Sequence, residues 1–466
     1  MKNNFLKHGL IHFIGIGGIG MSGIAELMHD LGYKIQGSDK NFNLNVKRIQ
    51  KKGIKIFIGH NKKNIKKTNA IVFSSAIKKS NPEIKEAIKK RIPVVSRAEM
   101  LSELMRFKKG IAVAGSHGKT TTTSILGSIL ELAKFDPTIV NGGIINSLSS
   151  NSRMGYGNWI VAEADESDGS FLHLPHEIGI ITNIDYEHID HYKNFKNLKN
   201  SFKKFALNIP FYGSSIICLE NINSKNLAKS ITTRDIITYG IDKDYADINI
   251  TKIKYINNKS QFKIRLSNKF KKRIKFNKNN IDFDLNLLGK HNILNASAAI
   301  AATLRIGINI SVIKKTLDDF KGVQRRFTLI KEIYNTKIYD DYAHHPNEIS
   351  ATLEIAKNLR KNKIIVIFQP HRFSRTIDLY NDFIKILSKI DVLILTKIYP
   401  AGEKNIKGIN KKLFNDLRKV KKNVIKVENE YEIYKATKPF MNKNNIIIFM
   451  GAGSITNWAK NFILKY

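Results

Sequence analysis

Residues 115–122 read Gly-Ser-His-Gly-Lys-Thr-Thr-Thr, set between the apolar run Ile111–Ala114 and a helical pattern from Ser124 to Leu132. A short glycine-rich turn between a strand and a helix gathers backbone N–H groups around a phosphate, and the helix N-terminus adds favourable charge. Gly115, Ser116, His117 and Gly118 make the turn; Lys119 can reach terminal phosphates, and Thr120 or Thr121 can reach Mg²⁺. The chemistry this predicts is expenditure of ATP. Val113 stands where the full G-x-x-x-x-G-K-T pattern has its first glycine.

Downstream, Glu163-Ala164-Asp165-Glu166-Ser167-Asp168 packs four carboxylates into six positions. Like charges this close oppose ionisation, and a divalent cation or the loop lysine would relieve them. Glu163 and His188 each follow an apolar strand pattern, Trp159–Ala162 and Ile178–Thr182. Mg²⁺ takes oxygen ligands readily and imidazole less often. Asn292 precedes the apolar helix Ile293–Leu304, and Arg325-Arg326 falls at a presumed junction. Adjacent arginines on a hinge can bring charge to a phosphate as domains close, or can make a plain interdomain salt bridge. Asp340-Asp341-Tyr342-Ala343-His344 and His371-Arg372-Phe373-Ser374-Arg375 both follow strand patterns, so both should reach one sheet edge. Arg372 and Arg375 could hold a carboxylate through forked hydrogen bonds.

A second glycine-rich loop lies near the start. Leu10–Ile14 leads into Gly15-Ile16-Gly17-Gly18-Ile19-Gly20 and a helical pattern through Leu31. Gly15, Gly17 and Gly20 permit a tight turn, approach of a diphosphate and close helix packing. Strand patterns follow at Tyr33–Gln36, Ile54–Ile58 and Ala70–Phe73, and Asp39 stands where an acidic group commonly meets a ribose. A nicotinamide cofactor, any other nucleotide diphosphate or a structural glycine turn would each satisfy this loop alone.

These elements need room. A chain of 466 residues with 42% apolar content can fill two or three cores. A boundary is expected near Leu104–Lys109 and another near Lys321. Between them, Ile248/Ile250, Phe262/Ile264/Leu266 and Ile281/Phe283/Leu285 alternate with period two and predict antiparallel strands. Lys269–Lys278 reads as a solvated hairpin or loop. Beyond Lys321, strands at Lys337–Tyr339, Lys363–Phe368, Val392–Thr396 and Asn445–Met450 alternate with helices, as in a doubly wound sheet. No stretch approaches the ~20 apolar residues needed to cross a bilayer, and Met1–Leu10 lacks the apolar core of a secretion signal. Cys218 is the single cysteine, which excludes an intramolecular disulfide and fits a reduced, cytoplasmic setting. The formal charge of +39 is spread along the chain and not gathered into a basic module, so no nucleic-acid partner is expected.

The ordered set of motifs resembles the Mur ligases of bacterial peptidoglycan synthesis. It comprises Gly15–Ala25, Ser74-Ser75-Ala76-Ile77, Arg97–Leu101, the Lys119 loop, Glu163–Asp168, Gly289–Asn292, Asp340–Pro346 and Gln369–Thr376. The resemblance implies three α/β domains. A Rossmann-like UDP-sugar domain would span 1–106, a central P-loop ATPase domain 107–320, and a Rossmann-like nucleotide and amino-acid domain 321–466. It further implies ATP-dependent joining of an amine to the lactyl carboxylate of UDP-N-acetylmuramate through an acyl phosphate. By that resemblance His117 argues against the relatives that add later peptide residues, and Glu163–Asp168 with Asp340-Asp341 favour L-alanine as the amine over the tripeptide of the recycling branch. By the same resemblance Gly15, Gly17, Gly18, Gly20, Asp39 and Ser74 serve the UDP moiety, and Lys119 the transferring phosphate. Thr120, Glu163 and His188 would hold Mg²⁺, and Asn292 would meet adenine. Arg325 or Arg326 and Asp340 or Asp341 would contact ribose or phosphates. His344, Arg372 and Arg375 would position the sugar carboxylate, the acyl phosphate or alanine, with Tyr342 a weaker candidate. Departures from the family pattern are Ser116 for Thr, Ser454 for Asp or Asn, and Glu187 for Asp. No stable membrane insertion is expected, and homo-oligomer formation is left open.

Overall fold

The computed structural model describes residues 9–74, 76–106, 108–145, 150–441 and 444–465; Ser75 of the resemblance motifs lies outside them. The chain forms two compact units, Met1–Gly322 and Val323–Tyr466.

The first unit carries two sheets. Strands β1 (Leu10–Ile14), β2 (Lys34–Asp39), β3 (Lys55–Ile58), β4 (Ala70–Phe73) and β5 (Val94–Ser96) form a parallel sheet in the order β3-β2-β1-β4-β5. Alternation along β1 sends Phe13 against Met21 and Ile24 of the helix Ile19–Asp30, and Ile14 toward Ile65, Ile71 and Ile84 on the other face. Strand order reverses between β1 and β4, and the crevice at such a reversal is where open α/β sheets take ligands. The loop from Gly15 and the residue Ser74 both leave the sheet there.

The second sheet runs through ten strands, adding β6 (Lys109–Ala114), β7 (Thr138–Ile145), β8 (Ser150–Arg153), β9 (Trp159–Glu163), β10 (Ile178–Ile181), β11 (Ser214–Cys218), β12 (Ile236–Ile241), β13 (Ile248–Ile256), β14 (Lys259–Leu266) and β15 (Asn280–Leu285). Their order is β15-β14-β13-β12-β11-β10-β6-β9-β7-β8. β6 lies between β10 and β9, all parallel and all buried, so the loops after these three strands open side by side. The alternating segments pair antiparallel as β13-β14-β15. Lys269–Lys278 is corrected: it includes a helix, Asn268–Ile274, and not a hairpin. Ser267 caps that helix on Phe270 N–H and Phe270 is fully buried, an anchor that outweighs its four basic neighbours, Lys269, Lys271, Lys272 and Arg273.

The second unit is one sheet, β16 (Thr328–Ile333), β17 (Thr336–Asp341), β18 (Ile364–Phe368), β19 (Val392–Leu395), β20 (Val424–Lys426) and β21 (Ile446–Met450), ordered β16-β17-β21-β18-β19-β20. Only β16 runs antiparallel to its neighbour. β21 enters between β17 and β18, so the segments after Asp341, Phe368 and Met450 share one edge, as expected for the Asp340 and His371 motifs. Among the described residues no helix is long and apolar enough to cross a membrane.

Candidate active site

The Lys119 loop is held by backbone demands that only glycine meets. Gly115 has φ +133°, and a Cβ there would fall 2.1 Å from Thr182 Oγ1. Gly118, at φ +85°, caps the helix Lys119–Leu132, and its Cβ would fall 2.3 Å from Asn295 Oδ1. Asn183, just past β10, ties the loop down: its Oδ1 accepts from His117 N at 2.8 Å and its Nδ2 donates to His117 O at 3.0 Å. Ser116 Oγ accepts from Asp185 N at 2.9 Å. Thr121 is buried in the first helical turn.

Lys119 Nζ donates to Gly115 O at 2.6 Å and to Glu166 at 2.8 and 3.1 Å. Burial opposes the ammonium, but Glu166, Asp165 and Glu163 outweigh it and keep Lys119 protonated. Burial pushes the Glu166 carboxyl up to about 7, against the pull of Lys119. Thr120 Oγ1 donates to Glu163 Oε2 at 3.0 Å, and the same oxygen accepts from Gly142 N at 2.8 Å. His188 has φ +56°, a strained conformation for a residue with a side chain, and its Nε2 lies 3.9 Å from Glu166 Oε1. Glu166, Glu187 and His188 bring ligand atoms within 4.8 Å of one another, the spacing a cation could bridge. The three metal candidates therefore fall into a Thr120–Glu163 pair and a His188 set that includes Glu166, one of the four clustered carboxylates, and Glu187, which the sequence assigned no role. Asn292 donates to Leu288 O at 2.8 Å, in the first turn of the helix whose Asn295 meets Gly118.

In the first loop, Gly15 turns at φ +77°. Ser38 O accepts from Gly15 N at 2.8 Å and Ile16 N at 3.0 Å, and Asp39 Oδ2 accepts from Gly17 N at 2.8 Å. Asp39, placed by the sequence toward a ribose, thus also braces the loop. Gly18 caps the helix that starts at Ile19. A Cβ on Gly20 would lie 2.8 Å from a terminal nitrogen of Arg97, whose guanidinium is 3.6 Å from Asp165. Ser74 Oγ accepts from Ala76 N at 3.3 Å. A cavity of about 730 Å³ opens beside these groups, lined by Phe73, Arg97, Asp168, His173, His191 and Lys193 among others.

In the second unit, Asp341 is buried and saturated. It accepts from Phe327 N at 2.7 Å, Ala343 N at 2.8 Å and Thr352 Oγ1 at 3.1 Å, while burial pushes its carboxyl up to about 6. Asp340 accepts from Thr456 Oγ1 at 3.1 Å and lies 3.9 Å from Arg325 Nε. Arg325 donates to Gly451 O at 2.8 Å and stacks on Tyr342, 4.6 Å from its centroid. Arg326 and His344 both face Glu348, at 3.6 and 3.3 Å. Arg375 NH1 approaches His371 Nδ1 at 3.2 Å, and the His371 ring lies on Tyr399. Burial, with His344, Arg375, Arg372 and Arg325 nearby, pushes His371 down to about 3, so the ring is neutral. Arg372, at φ +69°, donates its N–H to Tyr399 O at 2.8 Å. Glu348, His371 and Tyr399 join the set without having been assigned. Glu348 was legible as the third residue of a helix capped by His345 with Pro346 first, where an acid closes a capping box.

Family models match in the same order as the sheets: "Mur ligase family, catalytic domain" over residues 10–109, "Mur ligase middle domain" over 113–303 and "Mur ligase, glutamate ligase domain" over 325–453. A UDP-N-acetylmuramate–L-alanine ligase of Rickettsia bellii is 45% identical over 468 residues, spanning 98% of this chain and 96% of the relative. One from Agrobacterium fabrum is 44% identical over 453 residues, spanning 97% and 95%. The crystal structure of UDP-N-acetylmuramate-alanine ligase from Thermotoga maritima superposes with a TM-score of 0.83 at 29% identity, covering 98% of this chain and 99% of that one. With each sheet matched by a domain model and nearly its full length matched by such relatives, the chain belongs to the Mur ligase family.

Proposed function

We propose that this chain joins L-alanine to the lactyl carboxylate of UDP-N-acetylmuramate, converting ATP to ADP and phosphate. The observation that carries the reading is the Lys119 centre: a phosphate-type loop whose lysine pairs with the buried Glu166 while Thr120 engages Glu163. Similarity over nearly the whole chain to ligases named for this substrate pair supports the choice of amine. We retain 1–106, 107–320 and 321–466 as the working domain limits.

A carboxylate is a poor acyl donor because oxide is a poor leaving group. Transfer of the γ-phosphoryl group to a lactyl oxygen releases ADP and gives an acyl phosphate; the amine of alanine then attacks the carbonyl and phosphate leaves. Positioning and charge stabilisation dominate phosphoryl transfer. Lys119 leaves Glu166 for the transferring phosphoryl oxygens, and Gly115–Thr121 hold the phosphates through the loop and helix N-terminus. Thr120 with Glu163, and His188 with Glu166 and Glu187 beside it, would offer the donors for Mg²⁺, which when bound would neutralise phosphate oxygens. Asn292 meets adenine. Arg325, Arg326 and Asp340 serve the nucleotide, with Asp341 bracing the segment around Phe327. His344, Arg372 and Arg375 orient the carboxylate, the acyl phosphate and alanine. Gly15, Gly17, Gly18, Gly20, Asp39 and Ser74 take the UDP moiety. The setting proposed is the cytoplasm.

The test pairs phosphate release with mass detection of the sugar product, in parallel reactions with L-alanine, the muropeptide tripeptide or neither. Mono-alanyl product at matching ADP yield is expected. Tripeptide product alone would move the assignment to the recycling branch, and no product from either amine would sink it.

A further inference from the structure

The face of the first sheet turned away from the helix Ile19–Asp30 is polar at its centre, where a parallel sheet is ordinarily apolar. His12, Gln36 and Ser38 from β1 and β2 meet Glu83, which enters from the helix Pro82–Lys89 with no exposed surface. Glu83 Oε2 accepts from Ser38 Oγ at 2.7 Å and lies 3.2 Å from His60 Nδ1. Its Oε1 accepts from Asn64 Nδ2 at 2.7 Å and Asn61 N at 3.3 Å, and lies 3.6 Å from His12 Nε2. The tautomer of His12 follows from its other side. Gln36 Nε2 donates to Asn64 O at 2.8 Å, which fixes the amide orientation, and it lies 3.2 Å from His12 Nδ1. An amide nitrogen only donates, so Nδ1 is bare and the neutral ring carries its proton on Nε2, facing Glu83. Three hydrogen bonds, from Ser38 Oγ, Asn64 Nδ2 and Asn61 N, thus converge on one buried carboxylate, with the rings of His60 and His12 beside it.

What this carboxylate fixes is Ser38. The Ser38 carbonyl accepts from Gly15 N and Ile16 N, and the next residue, Asp39, accepts from Gly17 N. Three consecutive N–H groups of the first glycine loop hang from two residues, and Glu83 pins the first of these from beneath. We infer that Glu83, through Ser38, is the positioning residue of this loop and sets its geometry for the diphosphate of the sugar nucleotide. The inference rests on the proposed assignment of this loop to the UDP moiety. A glutamine at 83 keeps the volume but replaces one of the two accepting oxygens with an N–H₂, so the groups that now donate to the carboxylate, Ser38 Oγ among them, compete for a single acceptor.

The experiment measures Kd for UDP by calorimetry, and kcat and KM for each substrate, in wild type, E83Q, S38A and the double variant, with thermal midpoints recorded alongside. UDP binding and the KM for UDP-N-acetylmuramate are expected to weaken about tenfold in E83Q and severalfold in S38A. The double variant should be no worse than E83Q, because the two act in one chain of contacts. The KM for ATP should stay within twofold. Folded variants that bind UDP as wild type does, whatever their thermal midpoints, would overturn the inference, as would strictly additive losses. A wild type that binds UDP but makes no product would end the proposed reaction and leave this inference standing if E83Q still weakens UDP. A wild type that binds no UDP would end both.

Discussion

The two glycine loops of the first unit share a strand–turn–helix frame and solve it with opposite charges. In the first, the loop N–H groups of Gly15, Ile16 and Gly17 are accepted by the neighbouring strand, through Ser38 O and the Asp39 carboxylate. In the second, Asn183 anchors His117, and the charged group drawn inside is a cation, Lys119, paired with the buried Glu166. A loop braced by an acid can present a helix N-terminus and hydrogen-bond acceptors, which suits holding a nucleotide that does not react. A loop with a lysine inside can follow charge as it moves, which suits phosphoryl transfer. The motif alone does not distinguish them; the charge of the side chain that meets the loop backbone, Asp39 in one and Lys119 in the other, does.

Lys119→Ala should break the comparison most sharply. Product formation is expected to fall by about 10³-fold or more, since the transferring oxygens lose their cation, while UDP binding stays within twofold. The check is single-turnover product formation beside UDP calorimetry. Loss of UDP binding in this variant would mean that the two loops are not separate functions.

Asp39→Ala is the counterpart on the first loop. It leaves the Gly17 N–H without the acceptor now 2.8 Å away. An unmade hydrogen bond of this kind costs about 1–3 kcal/mol, so the KM for the UDP-sugar should rise about tenfold or somewhat more. The KM for ATP should not move, and steady-state titration of each substrate decides. A rise confined to ATP would reverse the assignment of the loops.

Acid titration sharpens the contrast further. Burial works against the Glu83 charge, yet His12, Ser38 and Asn64 together hold its carboxyl below the usual value of 4.5. A carboxyl lowered on folding binds fewer protons folded than unfolded, so it stabilises above about pH 4.5 and that contribution disappears as pH falls through the folded value. Urea midpoints of wild type and E83Q should therefore differ most near neutrality and converge on the acid side. A wild type that instead gains on E83Q as pH falls from 7 to 4.5 would show that Glu83 is protonated in the folded protein.

Much of this was legible in the residues. Period-two alternation gave β13–β15, and apolar runs ending in glycine or acid gave β1, β6 and β9, because burial on one or both sheet faces writes itself directly into spacing. The Lys119, Glu163 and His188 segments were found for the same reason: each leaves a strand end. What was not legible comes from side chains that meet across elements. Asn183 has no motif and acts because β10 lies beside β6. His371 is neutral because burial and neighbouring cations act together on it, which no spacing reveals. The helix Asn268–Ile274 was hidden by its lysines, and only the burial of Phe270 explains it. Glu83 has no motif around it and matters only because the helix Pro82–Lys89 brings its side chain to Ser38 on a neighbouring strand.

The smallest effect tests how much of the second loop's chemistry lies in its backbone. Ser116 stands where the family pattern has Thr, and its hydroxyl accepts from Asp185 N at 2.9 Å. Thr keeps that acceptor and adds one methyl at a position that is only 8% exposed. Adding a methyl at a packed site costs about 1–3 kcal/mol of stability, while the KM for ATP should change by no more than about twofold because the hydroxyl is kept. Ser116→Ala removes the acceptor and keeps the space, so comparing the two variants separates hydrogen bonding from packing. If Thr were worse than Ala, the loop would be limited by room around Asp185 and not by its hydroxyl. That result would make the second loop the more rigid of the two, held by side-chain packing where the first is held by the carbonyl and carboxylate of a neighbouring strand.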